Sequence, residues 1–144
     1  MSRRVVFDTS TLVSAALRVG SIPYQALLGA LATCDLCVCA ETLAELEQVL
    51  NRERFDRYLN RNSRMEFVSL IRRNSHLFLV ENVDLVGVEP TCRDRKDNKF
   101  LALALAAESE LLVSSDQDLL VLHPWRQISI LTPREFLSQP EFPR

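Results

Sequence analysis

Val5-Val6-Phe7-Asp8-Thr9-Ser10-Thr11-Leu12-Val13 runs from three apolar residues straight through an acid into a helical pattern. The continuous apolar triplet predicts a short strand covered on both faces, and residues 9–17 predict the helix that follows it. The same alternation recurs along the chain. Residues 36–39 predict a second strand, followed by a helix over 41–50 that carries Leu43, Leu46, Val49 and Leu50 on one stripe. Residues 77–80, 111–113 and 127–131 predict three more strands. Between the first two strands, Ser21 as a cap with Pro23 in the first turn predicts a helix to about residue 32. Residues 52–59 read as a further helical segment, and 84–93 as a loop. The capping box Ser63-Arg64-Met65-Glu66 opens a helix to about residue 75, and an alanine- and leucine-rich helix spans 96–109. A short helix covers 118–122, and a second capping box, Thr132-Pro133-Arg134-Glu135, opens a last one ending at 137. Strands alternating with helices define an α/β domain around a mostly parallel sheet of about five short strands.

The 144 residues suit one domain over 1–138, with 139–144 and their two prolines as a flexible tail. Hydrophobic residues at 47% and charged residues at 25% are the balance of a soluble globular protein and argue against disorder. The three glycines make no G-x-G-x-x-G and no G-x-x-x-x-G-K-[ST], which excludes a Rossmann dinucleotide site and a P-loop. A net charge of −2 excludes a uniformly basic coat but not a local basic patch. No apolar stretch is long enough for a signal peptide or a membrane span, so the expectation is a cytoplasmic protein with no membrane partner. Cys34, Cys37 and Cys39 crowd one segment and Cys92 stands apart, a spacing unsuited to a disulfide framework. Two separated pairs would suit structural zinc better, so these thiols read as small core residues.

The acids fall where open parallel sheets bind ligands, beyond the carboxyl ends of the strands. Asp8 follows the first strand; Asp116 and Asp118 follow the fourth, Leu111-Leu112-Val113-Ser114-Ser115. Asp94 and Asp97 lie in the turn before the long helix, and Glu45 sits one turn into the helix after the second strand, flanked by apolar residues. If the first and fourth strands are neighbours, these carboxylates converge on one rim. Each acid alone is equally a helix cap or a turn former. The conjunction is what points to chemistry, because capping does not require acids at every end on one rim. Crowded carboxylates either raise one another's pKa values or demand a cation, and hard oxygen ligands without histidine or cysteine point to Mg²⁺ or Mn²⁺ as that cation. Such a site fits metal-assisted phosphodiester hydrolysis.

These motifs, in this order, resemble the PIN domain family. Val5-Val6-Phe7-Asp8-Thr9-Ser10, then Leu12-Val13-Ser14-Ala15, is similar to its opening. The helix from Glu41 to Leu50, with Glu45, resembles its second acidic motif. Arg93-Asp94-Arg95-Lys96-Asp97-Asn98-Lys99 resembles its third, with Asp97 as the usual acid, and Ser114-Ser115-Asp116-Gln117-Asp118 its fourth. The likeness runs from about residue 4 to 138, and its closing segment resembles the VapC-like branch, toxins of prokaryotic toxin–antitoxin pairs. The resemblance implies a three-layer α/β/α fold and a Mg²⁺- or Mn²⁺-dependent endoribonuclease. It implies Asp8, Glu45, Asp97 and Asp116 as catalytic metal ligands, Asp118 as an auxiliary one, and Ser10, Asp94 and Ser114 as supporting residues. Ser10 and Ser114 depart from the family's usual asparagine and threonine while remaining polar. The implied partners are RNA, an antitoxin protein whose arginine enters among the acids, and a second copy of the chain in a homodimer or higher oligomer.

Residues 51–75 hold seven arginines against three acids, a net +4 that leaves −6 for the rest. Arg52, Arg54, Arg57, Arg61 and Arg64 are the candidate RNA contacts, with Phe55, Tyr58 and Phe67 available to stack or to fill a core. Two other readings compete. Val5-Val6-Phe7-Asp8-Thr9-Ser10-Thr11-Leu12-Val13 superficially resembles the haloacid dehalogenase phosphatases, but Ser10 stands where their second acid is needed. A binding module without catalysis would keep the acids for partner capture.

Overall fold

The computed structural model describes residues 3–139, and the rest of the expected tail lies outside the described residues. The apolar triplets form one sheet of β1 (Arg3–Phe7), β2 (Cys34–Val38), β3 (His76–Leu77), β4 (Leu111–Val113) and β5 (Ser129–Leu131). Their order is β3-β2-β1-β4-β5, and every pairing is parallel. β1 is therefore flanked by β2 on one side and β4 on the other, and the strand order reverses there. The helices are α1 (Thr9–Leu17), α2 (Ile22–Thr33), α3 (Ala40–Leu50), α4 (Arg61–Arg73), α5 (Asn98–Ala106), α6 (Gln117–Leu120) and α7 (Pro133–Leu137).

Alternate strand residues feed two cores. Val5, Phe7, Leu36, Val38, Leu111 and Val113 pack against α1 to α4 and α7. Val6, Cys37, Leu112 and Ile130 pack against α5, α6 and the loop around Trp125. This is the three-layer α/β/α arrangement, with a sheet buried on both faces as its unbroken apolar strands require. Phe7 meets Phe136 edge-to-face at 5.9 Å, tying the central strand to α7. Among the described residues no helix is long and apolar enough to cross a membrane.

Two caps form where the sequence puts them. Ser21 Oγ accepts from the Tyr24 N–H, and Thr132 and Glu135 satisfy one another's backbone N–H groups. Elsewhere the boundaries move for identifiable reasons. Residues 52–59 do not continue a helix: only a 3-10 turn forms at Glu53–Phe55. The helix expected from Ser63 starts earlier, because Asn60 Oδ1 takes the Ser63 N–H and Ser63 becomes interior. β3 is shorter than expected, since it pairs only with Cys37 and Val38 at the end of β2. α5 is trimmed at both ends: Asp94 caps a 3-10 turn at Arg95–Asp97 before it, and beyond it Glu108 turns to φ 52°. β5 starts at Ser129 because Arg126 and Gln127 make a tight left-handed turn. All four cysteines are buried thiols, and Cys34 faces one core while Cys37, Cys39 and Cys92 face the other. Burial pushes the Cys37 and Cys92 thiols up to about 11.

Candidate active site

At the reversal point, β1 and β4 end side by side, and the segments leaving them turn their acids into one cavity. It has a volume of about 440 Å³, and Asp8, Glu45, Asp94, Asp97 and Asp116 line it together with Thr9 and Ser10. Arg52, Arg54 and Phe55 line it as well. Asp118, in the first turn of α6, is not among the lining residues.

Asp8 caps α1 and faces the cavity at once. Its Oδ1 accepts from the Thr11 N–H at 3.0 Å and from Ser10 Oγ at 3.4 Å, and its Oδ2 accepts from Ser114 Oγ at 2.5 Å. The residue is 3% exposed, and burial holds its carboxyl above the usual range despite these bonds. Ser114 is itself fully buried, and its Oγ also accepts from the Asp116 N–H at 2.9 Å. One hydroxyl thus joins the acid after β1 to the acid after β4. Asp116 Oδ1 accepts from the Asp118 N–H and opens α6, and Asp94 Oδ1 accepts from the Lys96 N–H. Capping and cavity lining are therefore compatible duties for the same acids.

The Asp97 and Asp116 carboxyls share a side-chain hydrogen bond. Desolvation, then that contact, then the charges of Asp116, Asp94 and Asp8 push its pKa up to about 7. Glu45 is held differently. Thr9 Oγ1 donates to its Oε1 at 2.5 Å, and Lys99 Nζ donates to its Oε2 at 3.0 Å. The sequence places Lys99 within reach of Asp94, but the structure pairs it with Glu45 instead. The available signal was its place: a cation in the first turn of a helix opposes the dipole and calls for a carboxylate nearby. Asn98, 2% exposed, is likewise engaged away from Asp94. It accepts from the Cys92 N–H at 2.9 Å and donates to the Asp84 carbonyl, fastening the loop before α5.

The arginine set divides. Arg52 and Arg54 line the cavity, and Arg54 lies over the Phe55 ring at 4.8 Å. Arg57 lies over exposed Tyr58, and Arg61 donates to Asn51 Oδ1. Phe67 is half-buried and packs against the core. Arg64 departs from the expected RNA-contact set: it is fully buried and donates to the carbonyls of Leu50, Leu59 and Arg52 and to Asp56 Oδ1. Its charge is spent on fastening residues 50–59, which leaves no surface for a phosphate.

A divalent ion fits this site by donor chemistry. The facing groups are hard carboxylate oxygens, and two of them, Asp97 and Asp116, are in contact and form no ion pair with a basic side chain among the described residues. The fit is of composition and place: among the described residues no three His, Cys, Asp or Glu side chains are drawn into a finished ligand cluster. Asp8 and Glu45 turn their oxygens to hydroxyl, amide and ammonium donors instead.

A carboxylate-lined cavity at the switch point of a five-stranded parallel sheet defines an α/β domain with its ligand site beyond the strand ends. The PIN domain family model matches residues 4–118, and the chain belongs to that family. Two solved structures share the fold. PAE2754 from Pyrobaculum aerophilum superposes with a TM-score of 0.63 at 14% identity, covering 95% of each chain. VapBC2 from Rickettsia felis, solved bound to a DNA fragment from its promoter, gives 0.60 at 11% identity over 88% of this chain and 96% of that one. No curated protein sequence matches.

Proposed function

We propose that this protein is a divalent-metal-dependent endoribonuclease, the toxin of a toxin–antitoxin pair. The observation that carries the reading is the convergence of Asp8, Glu45, Asp97 and Asp116, from four separate segments, on one cavity shared with Arg52 and Arg54. Membership of the PIN family and the likeness to VapBC2 support it.

Mg²⁺ or Mn²⁺, held among these acids, would supply water activation at neutral pH and charge relief for the phosphate. The chain's own residues do the rest. Ser10, Thr11 and Ser114 fix the Asp8 carboxylate, so it stays aimed as an acceptor rather than swinging free. Asp97 and Asp116 hold the negative charge that draws a cation in. Arg52 and Arg54, lining the same cavity, would take RNA phosphates, and Phe55 would give a neighbouring base a ring to stack on. An antitoxin arginine entering the same cavity would meet the same acids and silence them.

The test is cleavage of end-labelled total RNA, tRNA and single-stranded DNA by the purified protein in Mn²⁺ or Mg²⁺, against EDTA. Discrete RNA fragments that require the metal and vanish in Asp8→Asn and Asp97→Asn are expected. Metal-stabilised protein that cuts only DNA would overturn the substrate. Absence of both cleavage and Mn²⁺-induced stabilisation would replace the enzyme with a binding module.

A further inference from the structure

We infer that a groove beside the acids, between α1 and residues 55–58, takes an unpaired guanine base of the RNA strand. The inference rests on the ribonuclease reading above and names the base that the site selects.

Two cavities adjoin along α1. Ser10 lines the one that holds the acids, Ser14 lines both, and Arg18 lines the second, whose volume is about 300 Å³. The three residues are spaced at every fourth position, so they share one face of α1 and step along it by about 6 Å each. The Arg18 N–H donates to the Ser14 carbonyl at 3.1 Å and ends the helix there. The facing wall runs alongside: Phe55 lines both cavities, and Tyr58 lines the second. A strand with a phosphate at the acids therefore runs on into this groove. Val13, Leu17, Phe55 and Tyr58 give the second cavity apolar walls; no acid lines it, and its one charged residue is Arg18. Tyr58 is 55% exposed, so its ring is open to a partner. Arg54 and Arg57 lie over the two rings at 4.8 and 5.6 Å and bring positive charge to that wall for the RNA backbone. Among the described residues the Arg18 guanidinium has no ion pair or hydrogen bond of its own. A planar fork of donors in an aromatic slot matches guanine, whose N7 and O6 are adjacent acceptors, whereas adenine puts an amino donor in place of O6. A base must leave its helix to stack here, so the groove reads single strands. A cationic segment finds no counter-charge in it.

The experiment measures fluorescence anisotropy of labelled oligouridines that carry guanine, adenine, cytosine or uracil at the centre, with the cleavage-deficient Asp97→Asn protein. The guanine probe is expected to bind about tenfold more tightly than the others and to lose that advantage once annealed to a complement. In the same background Arg18→Ala should abolish the preference, and Arg18→Gln should shift it toward adenine, whose N6 and N7 suit an amide. Tyr58→Ala should weaken all four probes by about tenfold, and Tyr58→Phe should not. Thermal unfolding of each variant verifies that it is folded. A guanine preference that persists in Arg18→Ala would overturn the pocket and reduce Arg18 to a cation at the end of a helix. Equal binding of the four bases, unmoved by Tyr58→Ala, would overturn it and leave the groove to a polypeptide. Cleavage of the same probes by wild type in Mn²⁺ separates the two readings. Guanine preference in binding without cleavage would sustain the pocket and remove the ribonuclease. Metal-dependent cleavage indifferent to the base would sustain the ribonuclease and overturn the pocket.

Discussion

Asp97 and Asp116 share a contact that neither would choose as two anions, and the cost is set by pH. The folded pKa of Asp97 is raised from 3.8 to about 7, so the folded chain holds this proton more tightly than the unfolded one. Its stabilising contribution is complete below about pH 4 and is lost as pH rises through about 7. In EDTA the melting temperature should therefore carry a component that falls between about pH 4 and 7, and Asp97→Asn should remove it. Mn²⁺ competes with that proton, so its protection should be smaller at about pH 5.5 than at pH 8. Melting curves in both buffers, with and without Mn²⁺, check this; protection that is equal at both would detach Asp97 from the ion. At this scale the sequence was informative about the acids, because strand ends followed by Asp are visible in the letters. It did not separate Arg64 from the surface arginines or pair Lys99 with Glu45. A charge run shows how many arginines a segment has but not which one turns inward, since that depends on carbonyls of Leu50 and Leu59 left open by a loop.

The segment between α3 and α4 shows the next scale up. Local patterning favoured a helix over 52–59 and a cap at Ser63, both chemically reasonable. Asn60 is as good a cap as serine, and it won because starting there puts Arg64 in the first turn, beneath the loop it fastens. The Arg64 guanidinium reaches three carbonyls and Asp56 with a planar fork that lysine lacks. Arg64→Met should cost about 3 kcal/mol in chemical denaturation, since it strands several polar groups at once. Arg64→Lys should fold, leave Mn²⁺ binding unchanged and raise KM for RNA, because Arg52 and Arg54 ride on the loosened loop. A KM equal to wild type would mean that the loop keeps its shape without the fork. The capping box at Thr132 and the β1–α1 unit needed no such tertiary knowledge, and they form as the letters suggest.

Across the whole molecule, charge is segregated rather than neutral: an acidic remainder of −6 carries a lobe of +4 beside its cavity. Single-stranded RNA held by Arg52, Arg54 and one or two neighbours should show log K falling with log salt by about 0.7 per phosphate contact, or about 2–3 in all. Fluorescence anisotropy with the cleavage-deficient Asp97→Asn protein measures this slope, and Arg54→Ala should lower it by about 0.7. A slope near zero would move the RNA off this face. The pairing of β4 with β1 has a consequence in time. Asp8 leaves the ribosome early, but the serine that seats it follows 106 residues later. A half-made chain carries Asp8 and Glu45 with nothing to close the cavity against. Asp8 and Glu45 therefore gain their partner acid and the serine between them only after synthesis has passed residue 116, so the cavity is one of the last features of the chain to be completed.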